Sequence, residues 1–294
     1  MTRRGFLERL GAAAVAASTT NWADRLGIMC RLGASETPAR EVLAAARQAG
    51  FRRVQIFFPW DKIDAAFLKA LPSWLRAEDL HCEVLSAYVN CLRPATVLMS
   101  TRAEDFSRAL DYAGELGCRR LAAWTGGYAT SLMQADPRNF APDAEEAILR
   151  FFAPHLGRLE KAGLEVALES YITLACPDAP SLRRLLDRLP AAVGAVLDPP
   201  NLTPLSRYAE RDRVLREMVR LLSGRIAVVH LKDFKLARDG KTYDLPGPLG
   251  GEMNYRLFAG QIRALPESAP VIAEHVGPKE FAQTRRRLLP LFEP

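Results

Sequence analysis

The chain has 294 residues, of which 49% are hydrophobic and 25% charged, and its formal net charge is +6. That composition excludes a disordered chain, and the length suits either two ordinary domains or one α/β barrel of roughly 250 residues. The positive balance is modest and its arginines are scattered; the densest run, TRRRLL near the C-terminus, reads as a solvated helix face, so nucleic acid is not an expected partner.

The first segment, MTRRGFLERLGAAAVAAS, sets Arg3-Arg4 and Phe6-Leu7 ahead of a weakly hydrophobic alanine-rich stretch from Leu10 to Ala17. It resembles a twin-arginine export signal, whose pattern is Ser/Thr-Arg-Arg-x-Phe-Leu. The plainer alternative is a basic amphipathic helix. The stretch is too short to span a membrane. Small residues around Ala14 to Ser18 suit a cleavage site, and the mature chain would begin between Thr19 and Asp24. Residues 1–24 are therefore expected to be a leader and residues 25–294 one catalytic domain. The resemblance implies a periplasmic or otherwise exported protein with no stable membrane association afterwards; without a working leader the chain would stay in the cytoplasm. Cys30, Cys82, Cys91, Cys118 and Cys176 make an odd count with no CxxC, which argues against a disulfide framework. Three of them fall in presumed strands, where a free thiol packs as a small apolar group.

The remainder of the chain repeats one layout. VLAAARQAGFRRVQIFF, ALDYAGELGCRRLAAW, LGRLEKAGLEVALES and MVRLLSGRIAVVHLKD each read as amphipathic helix, glycine, then strand. Gly50, Gly117, Gly163 and Gly224 fall where a helix needs a left-handed residue before the chain enters a sheet. Apolar runs occur near Leu26–Cys30, Val54–Phe58, Cys82–Ala87, Leu121–Trp124, Val166–Glu169, Ala195–Asp198, Ala227–His230 and Val271–Glu274. Their continuous apolar character suits strands covered on both faces. Each precedes a helical pattern, for example PAREVLAAARQAG, APSLRRLLDRL and YRLFAGQIRAL. Eight strand–helix units without an obvious linker predict a single closed (β/α)8 TIM barrel. An open doubly wound sheet is the alternative, but CRLGASETPA after the first strand lacks its glycine fingerprint.

Four of these runs end alike: LEVALES on Glu169, VGAVLDPPN on Asp198, IAVVHLKD on His230 and APVIAEHV on Glu274. In a barrel these are the C-terminal tips of four successive strands, ringing the mouth where barrel enzymes place their chemistry. Three carboxylates and an imidazole sharing one funnel would repel one another and suffer desolvation unless a cation joined them. The expected cofactor is therefore one divalent metal ion. An oxygen-rich set with one nitrogen and no thiolate favours Mn2+, with Mg2+, Co2+ or Zn2+ open.

At these residues the chain resembles the sugar phosphate isomerase/epimerase family of xylose isomerase-like barrels. VALES is similar to the family's fifth strand, VLDPPN to its sixth-strand Asp-Pro-x-Asn, and VVHLKD to its seventh-strand His-x-Lys-Asp. GPLGGEMNY resembles its glycine-rich loop, and Glu274 stands for its eighth-strand Glu. The resemblance implies a metal held by Glu169, Asp198, His230 and Glu274 and chelated by adjacent carbonyl and hydroxyl oxygens of a sugar, keto-sugar or cyclitol. Glu169 and Glu274 would move a proton through an enediolate, in an isomerase or epimerase or, with the same site, in a dehydratase or lyase. Ketohexose epimerases carry a histidine where this chain has Asn201, and an arginine where it has Lys235 and Leu236, so the resemblance does not extend to that substrate.

The carbohydrate would lie against Trp60, Trp124 or Tyr171, with Asn201, Lys232 and Asp233 as polar contacts. For the aromatic residues, core packing is the plain alternative; for Lys232 and Asp233 it is a salt bridge between them. A metal-dependent endonuclease of the same superfamily is the rival from another class. It needs many histidines, whereas this chain has His81, His155, His230 and His275, the last expected to face away from Glu274. A non-catalytic sugar-binding paralogue stays open, as does assembly into a homo-oligomer.

Overall fold

The computed structural model describes residues 21–96 and 101–293. The barrel strands are β1 (Leu26–Arg31), β2 (Arg53–Phe57), β3 (His81–Asn90), β4 (Arg120–Trp124), β5 (Glu165–Glu169), β6 (Val193–Leu197), β7 (Ile226–Leu231) and β10 (Val271–Ala273). They close in the order β1-β10-β7-β6-β5-β4-β3-β2, every pairing parallel. Between β7 and β10, β8 (Lys235–Leu236) and β9 (Tyr243–Asp244) form a short antiparallel ribbon. The expected closed barrel is thus the observed one, and all eight expected runs are barrel strands.

Each barrel strand leads to a helix, because an apolar stripe recurs at the helical period. In Arg211–Leu222 the buried residues are Val214, Leu215, Met218, Val219 and Leu222, one face of an otherwise charged helix. Start signals are local. The Asp64 carboxylate accepts from the Phe67 N–H at 2.8 Å, and Asp178 caps Ala179–Asp187 through Ser181. Gly50, Gly163 and Gly224 end helices as expected, with positive φ; Gly117 also has positive φ, but it closes a turn that follows the helix end at Tyr112.

Two apolar layers hold the barrel. The outer one packs helices on strands, with Leu43, Phe106, Phe152, Leu185 and Phe258 fully buried. The inner one fills the barrel with small and branched side chains, including Ala122, Ala167, Val196, Val228 and Ile272. All five cysteines are buried and free; Cys30 and Cys82 lie in strands, two rather than the expected three.

The expected leader lies largely outside the described residues. The chain is already packed at Trp22, whose ring stacks on Phe292 at 4.6 Å, and Arg25 donates to the Pro266 and Ala269 carbonyls at 2.8 and 3.2 Å. The turn Trp22–Arg25 therefore belongs to the barrel's packing. Among the described residues no helix is long and apolar enough to cross a membrane.

Candidate metal centre

Parallel closure brings the strand ends to one mouth. Glu169 ends β5, Asp198 directly follows β6, His230 is the penultimate residue of β7, and Glu274 directly follows β10. Each is at most 3% exposed. One donor atom from each lies within 4.8 Å of the others. His230 Nδ1 is at the centre, 3.6 Å from Glu169 Oε2, 3.5 Å from Asp198 Oδ2 and 3.6 Å from Glu274 Oε2.

The tautomer of His230 follows from its neighbours. Gln55, in the middle of β2, donates through its amide nitrogen to Ser86 Oγ at 3.1 Å and Tyr88 OH at 3.0 Å. Its Oε1 is left to accept from His230 Nε2 at 3.0 Å. In the neutral ring a proton on Nε2 leaves the lone pair on Nδ1, an atom that is buried and without a hydrogen-bond partner. Asp198 Oδ2 is likewise buried with no hydrogen bond directed at it, although Lys232 Nζ lies 2.7 Å away as an ion pair. Lone pairs converging in a buried cage with one imidazole held from behind are the arrangement a divalent cation satisfies. The four residues fit a metal.

The carboxylates sit in different surroundings. Glu169 accepts from neutral donors, Tyr88 OH at 2.8 Å and Asn201 Nδ2 at 2.7 Å. Burial raises its pKa to about 7, in spite of attraction from His230 and Lys232. Glu274 accepts from the Lys232 ammonium at 2.6 Å. Burial again works against its charge, but Lys232 and His230 hold it well below the usual carboxylate range. With no cation in the cage, burial disfavours the His230 cation, yet Glu274, Glu169 and Asp198 raise its pKa to about 9. Two carboxylates in one cavity are thus driven apart, the pattern that separates a proton donor from a proton acceptor.

A cavity of about 150 Å³ opens above the cluster. Trp124, Tyr171, Asn201 and Lys232 line it, as do Tyr88 and Met29. Trp60 does not. Its ring packs on Phe58, its Nε1 donates to the Ser86 carbonyl at 2.8 Å, and it is core. Asp233 is also not at the cavity. Its Oδ1 accepts from the Phe234 and Met253 N–H groups at 2.7 and 2.9 Å, pinning the glycine-rich loop to the end of β7.

His275 departs from expectation. A left-handed φ of +57° turns it to the cavity wall, where Nδ1 meets the Leu245 carbonyl at 2.8 Å and Nε2 lies 3.9 Å from Glu274 Oε1. His81 begins β3 at the opposite end of the barrel, and His155 packs on Phe106 and Phe151 in the outer layer.

The model of the xylose isomerase-like TIM barrel family matches residues 43–290. The chain belongs to that family. Similar solved structures include a xylose isomerase-like TIM barrel protein from Mycobacterium smegmatis in complex with magnesium (15% identity, 88% of this chain and 90% of that one, TM-score 0.66). A 3-keto-D-glucoside 4-epimerase from E. coli aligns at 13% identity over 90% and 98% of the chains, TM-score 0.62. An AP endonuclease, family 2, from Brucella melitensis aligns at 19% over 85% and 92%, TM-score 0.62. No curated protein matches the sequence. At such identities the likeness shows the fold, and one fold here serves an epimerase and a nuclease alike.

Proposed function

We propose that the protein is a divalent-metal-dependent isomerase or epimerase of a sugar, keto-sugar or cyclitol, working by proton transfer at a carbon beside a carbonyl. The observation that carries this reading is the buried cage itself. Four strand tips aim donors at one point, and two of those donors are glutamates in opposed electrostatic settings. A bound divalent cation would supply Lewis-acid stabilisation of the negative charge that develops when such a carbon loses its proton.

The chain's own groups account for the rest. Glu274, held ionised by Lys232 and His230, takes the proton. Glu169, whose raised pKa keeps a proton available near neutrality, returns one to the other face. Tyr88 and Asn201 hold the two oxygens of Glu169 in place. Trp124 and Tyr88, stacked at 5.0 Å, offer a flat apolar wall to a sugar's C–H face, while Asn201 and Lys232 meet its hydroxyls. The same groups would serve a dehydratase if the substrate carried a leaving group next to the deprotonated carbon.

The test is deuterium exchange. Metal-loaded protein in D2O is screened against keto-sugars and keto-cyclitols. The wild type should wash deuterium into one of them, and Glu169→Gln and Glu274→Gln should each lower turnover by at least about 10²-fold. Wild-type turnover in both variants would show that these glutamates are ligands only.

A further inference from the structure

A second cavity, of about 420 Å³, adjoins the one above the metal cluster. At about 150 Å³ the metal-side cavity is smaller than the roughly 300–1,000 Å³ of ordinary ligand pockets. Tyr171 and Met133 line both, so the two compartments meet across a shared wall. The second is largely apolar, walled by Phe140, Ile172, Pro204 and Leu205 together with Met133. Met133 is 49% and Phe140 51% exposed, an unusual setting for two large apolar side chains that converge on one hollow beside a reaction site.

An independent observation points to a ligand at the seam. Tyr171 is only 4% exposed, and its hydroxyl is buried without a hydrogen-bond partner. Tyr171 stands on the wall of both compartments, and Lys232 lines the metal-side one with it. A buried hydroxyl left unpaired is costly, and a ligand oxygen crossing the seam would satisfy it.

We propose that the natural substrate is a glycoside whose ring carries a ketone away from the anomeric carbon: the sugar ring held above the metal cluster, an apolar aglycone in the second compartment, and a linking oxygen that accepts from the Tyr171 hydroxyl. This rests on the carbohydrate reading of the metal site. A free monosaccharide would fill the small compartment and leave both the apolar hollow and the Tyr171 hydroxyl unused. Lys241 and Asp178, also on the second cavity's wall, would meet polar substituents of the aglycone.

The probes are methyl β-D-glucopyranoside and 4-nitrophenyl β-D-glucopyranoside, titrated calorimetrically into the full-chain, Mn2+-loaded protein. The aryl glycoside should bind at least about tenfold more tightly, as burial of one ring in an apolar hollow implies. Phe140→Ser and Leu205→Ser should each shrink that advantage, and Tyr171→Phe should weaken the aryl glycoside several-fold. Melting temperatures of the three variants check that they are folded. Equal affinity of the two glycosides, including binding of neither, overturns the proposal; so does an aryl advantage untouched by all three substitutions. Binding needs no turnover, so an aryl preference without deuterium exchange would sink the proton-transfer chemistry and leave the second compartment standing.

Discussion

Gln55 Oε1 lies 3.0 Å from His230 Nε2, and this contact between β2 and β7 decides which imidazole nitrogen faces the three carboxylates. Since the Gln55 amide nitrogen is committed to Ser86 and Tyr88, the ring cannot turn over without leaving a buried group unpaired. Gln55→Met keeps the length and removes the acceptor. Metal affinity should fall by about 10- to 100-fold, the usual scale for a group that orients a ligand from behind. A competition titration against a fluorescent chelator measures it, and unchanged affinity would show that the contact orients nothing.

Stability without metal should depend on pH in a defined direction. Burial raises Glu169 from 4.5 to about 7, and the surrounding carboxylates, against burial, raise His230 from 6.5 to about 9. Both folded values exceed the unfolded ones. Each contribution is therefore complete below the unfolded value and lost as pH rises through the folded one: between 4.5 and about 7 for Glu169, and between 6.5 and about 9 for His230. Chelator-stripped protein should lose Tm across these windows. The rise in Tm on adding Mn2+ should grow over the same range, because the metal displaces protons that are then easier to remove. A metal-induced shift that stays flat with pH contradicts this.

The site was legible in the sequence where it broke a pattern. Glu169, Asp198, His230 and Glu274 stood out because each ended an apolar run one strand–helix unit from the next. Gln55 and Tyr88 did not stand out, although a single amide inside the apolar run VQIFF was a signal of the same kind. Their roles depend on which strands become neighbours across a closed barrel, and spacing along the chain does not carry that. The direction of His275 was hidden for another reason: alternation along a strand predicts that it faces away, and one left-handed residue overrides alternation. Trp60 and Trp124 look alike at strand ends, yet only the second meets the cavity. A three-residue turn, Trp60–Lys62, folds the first back into the core.

The mouth also relies on a glycine that no spacing marked. Gly126, just after β4, has φ +96°, and a Cβ there would overlap Asn90 Oδ1 and come 2.9 Å from the Leu92 nitrogen. Asn90 Oδ1 accepts from the N–H groups of Leu92, Arg93 and Gly127, and so ties two loops at the mouth together. Gly126→Ala should cost about 2–4 kcal/mol, through backbone strain and the loss of this knot. Denaturant unfolding with an unchanged m-value measures it; a loss below about 0.5 kcal/mol would mean that the loops re-form around the methyl group.

The leader is tested by changing Arg3 and Arg4 together to lysine. The fold and metal content should stay as they are, while export should fail and the protein should collect in the cytoplasm. Equal export of both forms would leave the N-terminal segment as an ordinary basic helix.

The central claim is that Glu169, Asp198, His230 and Glu274 together hold one divalent ion. The most direct measurement is a calorimetric titration of Mn2+ into chelator-stripped wild-type protein and into His230→Ala, which removes the bare Nδ1 and leaves the carboxylates in place. The wild type should bind one equivalent, and the variant should bind at least about 10²-fold more weakly, with melting temperature following occupancy. No heat from the wild type, or the same isotherm from both proteins, would contradict the account.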